Sequence, residues 1–178
     1  MADEKKQRFE TIETEQINIV DKNGNVRMSL FNSERMPEIV MEGQPVSGKR
    51  SGIPGSGIMF YNNEGDECGG LVFGSAKDDN GNYVSFGSVT FDAYKDDQVI
   101  QTNFWETNGL RNYGFILYDR PSGKERLYMG RGQNGDYAVT LCDSKGTERI
   151  RMVIDSNDVP RMEFLNENGE VVYKLPPE

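Results

Sequence analysis

The sequence predicts an all-β fold, an antiparallel meander of about a dozen strands. Two observations carry this reading: a seven-residue phrase that recurs along the chain, and apolar residues alternating with polar ones on either side of it. The phrase opens on Asp or Asn, places Gly three residues on and often ends in Arg. It reads D-K-N-G-N-V-R from Asp21 to Arg27 and D-S-K-G-T-E-R from Asp143 to Arg149. Variants begin at Asn62, Asp78 and Asn166, a copy with one extra residue runs from Asp119 to Arg126, and a degenerate copy without glycine runs from Asp155 to Arg161. Alternation at period two marks a strand with two unlike faces. A glycine-bearing turn between two such runs marks a hairpin.

Taken in order, Ile17 and Ile19 alternate before the first turn, and Val26, Met28 and Leu30 alternate after it. The same pattern places Ile58 and Phe60 before the Asn62 turn, with Leu71 and Phe73 after it. Val84 and Phe86, then Val89 and Phe91, come next, and a strand is expected from Gln98 to Trp105. Further strands are expected around Phe115–Tyr118, Leu127–Met129, Ala138–Leu141, Ile150–Ile154, Met162–Leu165 and Val171–Leu175. Asp143, Asp155 and Asn166 follow at intervals of 12 and 11 residues, room for one strand and one turn each. No long window repeats apolar residues at helical spacing. So many strands rarely stay in one open twisted sheet, and a meander leaves two edges to protect. A closed or nearly closed β-barrel is therefore the expected architecture, with a β-sandwich as the alternative.

Residues 1–8 read as a disordered tail and 9–178 as a single β domain. Two stretches break the rhythm. Glu34 to Ser56 holds three prolines and four glycines, with room for a short strand within Met36–Met41; Glu106 to Asn112 follows the only tryptophan, Trp105. Long irregular connections in compact domains are usually functional or disordered.

Composition narrows the function classes. The chain carries 29 Asp plus Glu against 20 Lys plus Arg, a net charge of −9, which disfavours nucleic-acid backbones and anionic membranes. Cys68 and Cys142 are the only cysteines and there is no histidine, so a Cys/His metal site is not expected, nor a Ser-His or Cys-His nucleophile. No cofactor is expected either. Two free thiols fit a reducing compartment, with a single bridge as the other possibility. The charged N-terminus has no apolar core of a signal peptide and no run is long enough for a transmembrane helix. A cytoplasmic location is expected, or a membrane-anchored or exported one if a leader precedes this sequence.

The Asp-x-Asn-Gly turns have part of the spacing of a calcium loop. Gly24 stands at position four and Asn32 at position twelve, where such a loop needs Gly at six and Glu at twelve. Ordinary turn chemistry accounts for them: the Asp side chain accepts backbone N–H bonds and Gly takes the left-handed conformation. The arginines after the turns (Arg27, Arg126, Arg149, Arg161) read as ion pairs or edge charges that serve the repeat. The strand aromatics fill a core or line an apolar cavity capped by the Glu34–Ser56 connection.

The phrases I-N-I-V-D-K-N-G-N-V-R-M-S-L-F-N-S-E-R-M-P, G-I-M-F-Y-N-N-E-G-D-E-C-G-G-L-V-F-G and E-R-L-Y-M-G-R resemble a group of bacterial proteins built from such hairpin repeats over most of their length. Some of that group look anchored by an N-terminal apolar helix. The resemblance implies a bacterial origin and one repeat-built domain, and brings no activity or site residues.

The expected function is a non-catalytic binding or interaction module, holding a small apolar molecule in a barrel cavity or a protein partner on its irregular face. The alternatives are a self-associating structural protein, a homo-oligomer, and a barrel-type isomerase or hydrolase. The candidate ligand-binding residues are Lys49, Arg50, Trp105, Arg111 and Tyr113. Lys49 and Arg50 would hold an anionic group and Trp105 would pack against it.

Overall fold

A computed structural model describes residues 7–46, 53–78 and 80–177. The strands are β1 (Gln16–Val20), β2 (Val26–Phe31), β3 (Val40–Met41), β4 (Gln44–Pro45), β5 (Ser56–Tyr61), β6 (Glu67–Lys77) and β7 (Tyr83–Asp92). They continue as β8 (Gln98–Thr107), β9 (Leu110–Asp119), β10 (Lys124–Arg131), β11 (Tyr137–Cys142), β12 (Glu148–Ile154), β13 (Pro160–Leu165) and β14 (Val171–Leu175). Twelve form one sheet, β1-β2-β5-β6-β7-β8-β9-β10-β11-β12-β13-β14, each strand antiparallel to the next; β3 and β4 pair as a separate small hairpin. Among the described residues the helical structure is one 3-10 turn, Ser33–Arg35, and no helix is long and apolar enough to cross a membrane.

The meander matches the sequence, but the expected barrel closure does not occur. β1 and β14 are the two ends of the strand order and do not pair. The sandwich alternative fails too, because these strands form one sheet rather than two. Consecutive pairing is a local property that each turn secures, whereas closure needs the first and last strands to meet. Eleven gaps of about 4.8 Å separate them, about 53 Å along the sheet. The chain exposes 12501 Å², against about 8,700 Å² for a compact monomer of 20.1 kDa.

In the β domain expected over 9–178 the first paired strand begins only at Gln16, because residues 10–15 lack alternating apolar positions. One irregular reading also changes. Glu106 to Asn112 is not irregular: β8 and β9 run up to a two-residue turn at Asn108 (φ 51°) and Gly109 (φ 78°), with Thr107 opposite Leu110. Asn-Gly supplies the two positive φ values such a hairpin demands.

Six of the turns share one geometry. In the first, the Asp21 amide donates to the Asn25 carbonyl and the Gly24 amide to the Asp21 carbonyl, at 2.9 and 3.0 Å. The Asp21 carboxylate accepts the amides of Asn23 and Asn25 at 2.8 and 3.0 Å. Asn62, Asp78, Asp143, Asp155 and Asn166 accept the corresponding two amides in their own turns. Gly24, Gly65, Gly81, Gly146 and Gly169 take φ from 80° to 90°, which explains glycine in the phrase. In the degenerate copy Asp158 takes that place with φ 62°.

The register gives the sheet two unlike faces. On one, a row runs Ser29, Met59, Gly70, Thr90, Gln101, Ile116, Tyr128, Thr140, Arg151 and Glu163. Among the described residues the six buried apolar ones (Phe31, Met59, Val84, Ile116, Val153, Leu165) belong to this face. We call it the groove face. The opposite, open face has the row Ile17, Leu30, Ile58, Leu71, Val89, Thr102, Phe115, Met129, Val139, Met152, Met162 and Leu175.

Candidate functional site

The connection between β2 and β5 turns the groove face into a site. Asn32 caps the Ser33–Arg35 turn, accepting the amides of Glu34 and Arg35 at 3.1 Å each. Arg35 pairs with Glu15 at 2.7 Å. The β3–β4 hairpin reverses at Glu42 and Gly43, both at positive φ, and the Gly43 amide donates to the Asp66 carboxylate at 2.6 Å. Asp66 lies in the turn between β5 and β6, at the sheet margin opposite to the one where β2 ends. The connection therefore runs along the strands from one margin of the groove face to the other before β5 begins back at the first. Its return is close: a Cβ on Gly74 would sit 2.9 Å from both the Pro54 carbonyl oxygen and the Phe86 ring, tighter than any side chain tolerates. Asp66 is 3 % exposed, and its second carboxylate oxygen has no hydrogen-bond partner among the described residues.

Between connection and sheet lies a groove of about 1060 Å³. Its wall is Met36, Pro37, Ile39, Pro45, Val46 and Pro54; Val72, Phe86 and Trp105 form an apolar floor. Phe86 and Trp105 are neighbours across β7 and β8, with ring centroids 6.1 Å apart. Polar groups enter as Ser88, Thr90, Gln98 and Gln101, and carboxylates as Glu34, Glu38 and Glu67. No Lys or Arg is among the described lining residues. Gln101 is already oriented, accepting from the Tyr118 hydroxyl at 2.9 Å and donating to Ser88 at 3.2 Å. An apolar floor with acidic and neutral polar groups around it suits a neutral or positively charged ligand with an apolar body.

The five sequence-derived candidates do not form one site. Trp105 lines the groove beside the connection. Lys49 and Arg50 lie outside the described residues. Arg111 and Tyr113 are on the open face: Arg111 pairs with Glu106 at 3.0 Å, and the Tyr113 hydroxyl meets that of Tyr137 at 2.8 Å. Phe86, Ser88 and Gln101 were not singled out from the sequence, although the alternation that carries Trp105 carries them to the same face.

The arginines of the repeat bond to their own turns. Arg27 pairs with Asp21 at 2.6 Å, Arg126 with Asp119 at 2.7 Å, Arg149 with Asp143 at 3.5 Å and Arg161 with Asp155 at 2.8 Å. Three also reach the neighbouring turn on the same margin: Arg27 donates to the Asn62 carbonyl, Arg126 to Cys142 at 3.1 Å and Arg149 to Leu165 at 3.0 Å. Tyr94 to Glu64 at 2.8 Å and Arg120 to the Gln98 carbonyl at 2.8 Å complete the series, so all six turns on this margin are linked in order. These guanidinium groups are committed to bracing a single-layer sheet.

Electrostatics follow the same turns. The Asn25 side-chain amide, the amides of Asn23 and Asn25, and Arg27 hold the Asp21 carboxyl well below its ordinary range. Asp78 is lowered chiefly by Asn82. Asp143 is lowered by the amides of Thr147 and Lys145 before Arg149, and Asp155 by those of Val159 and Asn157 before Arg161. Among the described residues no three His, Cys, Asp or Glu side chains are placed to hold a metal ion. Cys68 and Cys142 are free thiols on β6 and β11. Five strand gaps of about 4.8 Å, about 24 Å, part those strands, too far for a bridge within one chain.

No protein-family model matches the chain, and no curated protein matches it.

Proposed function

We propose that the protein is a non-catalytic binding module whose ligand enters the groove between the β2–β5 connection and the sheet. The observation that carries this is the convergence of Trp105, Phe86 and an apolar, proline-rich strap on one groove that carboxylates also line. The ligand has an apolar body and a neutral or cationic head, because Glu34, Glu38 and Glu67 are the charged groups among its described lining residues. The cavity is thus an open trough on one face of a sheet rather than the lumen of a barrel. Catalysis has no assigned residues in this reading: the chain lacks histidine, and the carboxylates described outside the groove are engaged in turns or ion pairs such as Glu163 with Arg151 and Arg161.

Trp105, the only tryptophan, reports on this site directly. Titration with benzyltrimethylammonium shifts its emission saturably, whereas benzoate does not, and Glu38→Gln weakens the cation response. Equal responses to cation and anion, or no saturable change with either, would overturn the reading.

A further inference from the structure

The groove face is covered in part by the chain's own connection; the open face has no described segment over it. Its rows are apolar from one end of the sheet to the other. Alongside the row from Ile17 to Leu175 runs a second, Phe91, Ile100, Leu117, Leu127, Leu141, Ile150, Phe164 and Tyr173. A third carries Phe73, Phe104, Tyr113, Tyr137 and Ile154. Charge appears only towards the ends of the strands, as Arg131 in the third row and Glu106 with Arg111 in the next. Phe73, Phe91, Met129 and Met152 are 47–54 % exposed. A depression of about 640 Å³ on this face is lined by Met129, Tyr137, Met152, Ile154, Met162 and Leu175.

We infer that the open face is the interface with a second copy of this chain, packed sheet against sheet. Three physical points select that occupant. Apolar sheet faces in water pack against another sheet about 10 Å away. The face is about 53 Å wide, and a second copy supplies an equally wide partner. The first two rows carry no charge to be matched and the third carries Arg131 alone, so the surface can face its own copy across a two-fold axis. Three rows spaced by about 6.8 Å across that width cover about 1,000 Å² per copy, about 2,000 Å² in the pair, which is what permanent dimers bury. The pairing also stops at two, because the opposite face carries the connection and the charged cluster of Arg151, Arg161 and Glu163.

Methionine oxidation tests this on the unaltered protein. Met129 and Met152 lie on the open face, while Met41, 40 % exposed, lies on the β3–β4 hairpin and serves as the internal control. At protein concentrations where sedimentation gives a mass near twice 20.1 kDa, hydrogen peroxide oxidises Met129 and Met152 at least tenfold more slowly than Met41, and dilution below the dissociation constant removes the difference. Met152→Glu sediments as a monomer with an unchanged β-sheet circular dichroism spectrum and an unchanged Trp105 response. A monomer at every concentration overturns the inference, and one that floats with phosphatidylcholine vesicles replaces the second copy with lipid. Met129 and Met152 oxidising as fast as Met41 in a dimer overturns it also. The Trp105 response belongs to the groove face, so either result leaves the groove reading to be judged separately.

Discussion

Arg149 stands between two turns: it pairs with Asp143 of its own turn at 3.5 Å and donates to the Leu165 carbonyl of the next at 3.0 Å. The pairing of a turn with its neighbour is what a single-layer sheet needs, since no second layer holds its strands in place. Arg149→Ala removes both contacts and exposes the last hairpin. Its amides in β13 and β14 then exchange hydrogen at least tenfold faster while those of β6 to β9 keep their protection. Uniform acceleration across the sheet would contradict a local brace.

Asp21, Asp143 and Asp155 have carboxyls lowered by the amides and arginines around them. A depressed folded-state pKa adds stability that is complete above the unfolded value of about 3.9 and is lost as pH falls through the folded one. The triple variant Asp21→Asn, Asp143→Asn, Asp155→Asn therefore melts several degrees below the wild type at pH 6, and the gap narrows as pH falls from about 4 towards 2.5. A gap independent of pH would show that the charges are not what stabilises these turns.

Asp158 holds φ 62° where the other copies of the turn carry glycine. Left-handed backbone costs a residue with a Cβ about 1 kcal/mol. Asp158→Gly raises the urea midpoint by an amount corresponding to about 1 kcal/mol; an unchanged or lower midpoint contradicts the turn assignment.

Glu163 is 7 % exposed and accepts from Arg151 at 2.6 Å and Arg161 at 3.0 Å. Removing its charge leaves two guanidinium groups against an uncharged neighbour. Glu163→Gln lowers the unfolding free energy by about 1.5–3 kcal/mol, the scale of charged hydrogen bonds, in urea titration. A loss within 0.5 kcal/mol, the range of ordinary surface changes, would mean that the cluster contributes nothing.

Burial raises the thiol pKa of both Cys68 and Cys142, with acidic neighbours adding to it. Both react with a disulfide reagent at pH 8 more slowly than free cysteine, and both react at the free rate in denaturant. A chain with no titratable thiol before reduction would contradict two separated cysteines.

The strands and turns were legible because each hairpin is written locally: alternation for the faces and glycine for the turn. Closure was not, because whether β1 meets β14 depends on twist summed over twelve strands, which no local phrase records. The site was half legible. Trp105 and the β2–β5 connection do share a groove, but Arg111 and Tyr113 fall on the other face. Reading the segment after Trp105 as irregular concealed its parity. With Asn108 and Gly109 as a tight turn, Trp105 pairs with Asn112, so the residues flanking Asn112 point away from the groove. The Asn-Gly pair that decides this stood in the sequence.

Both the groove and the open face require an open sheet. Asn18 on β1 and Lys174 on β14 lie in one row across all twelve strands. Spin labels on cysteines at these two positions, with Cys68 and Cys142 replaced by serine and the sample diluted into unlabelled protein, give that distance by pulsed electron resonance. An open sheet predicts a separation of about 40–50 Å, slightly under the sum of the strand gaps because of twist. A separation below about 20 Å would mean that the outer strands meet, and the open face with its second copy would fall with it.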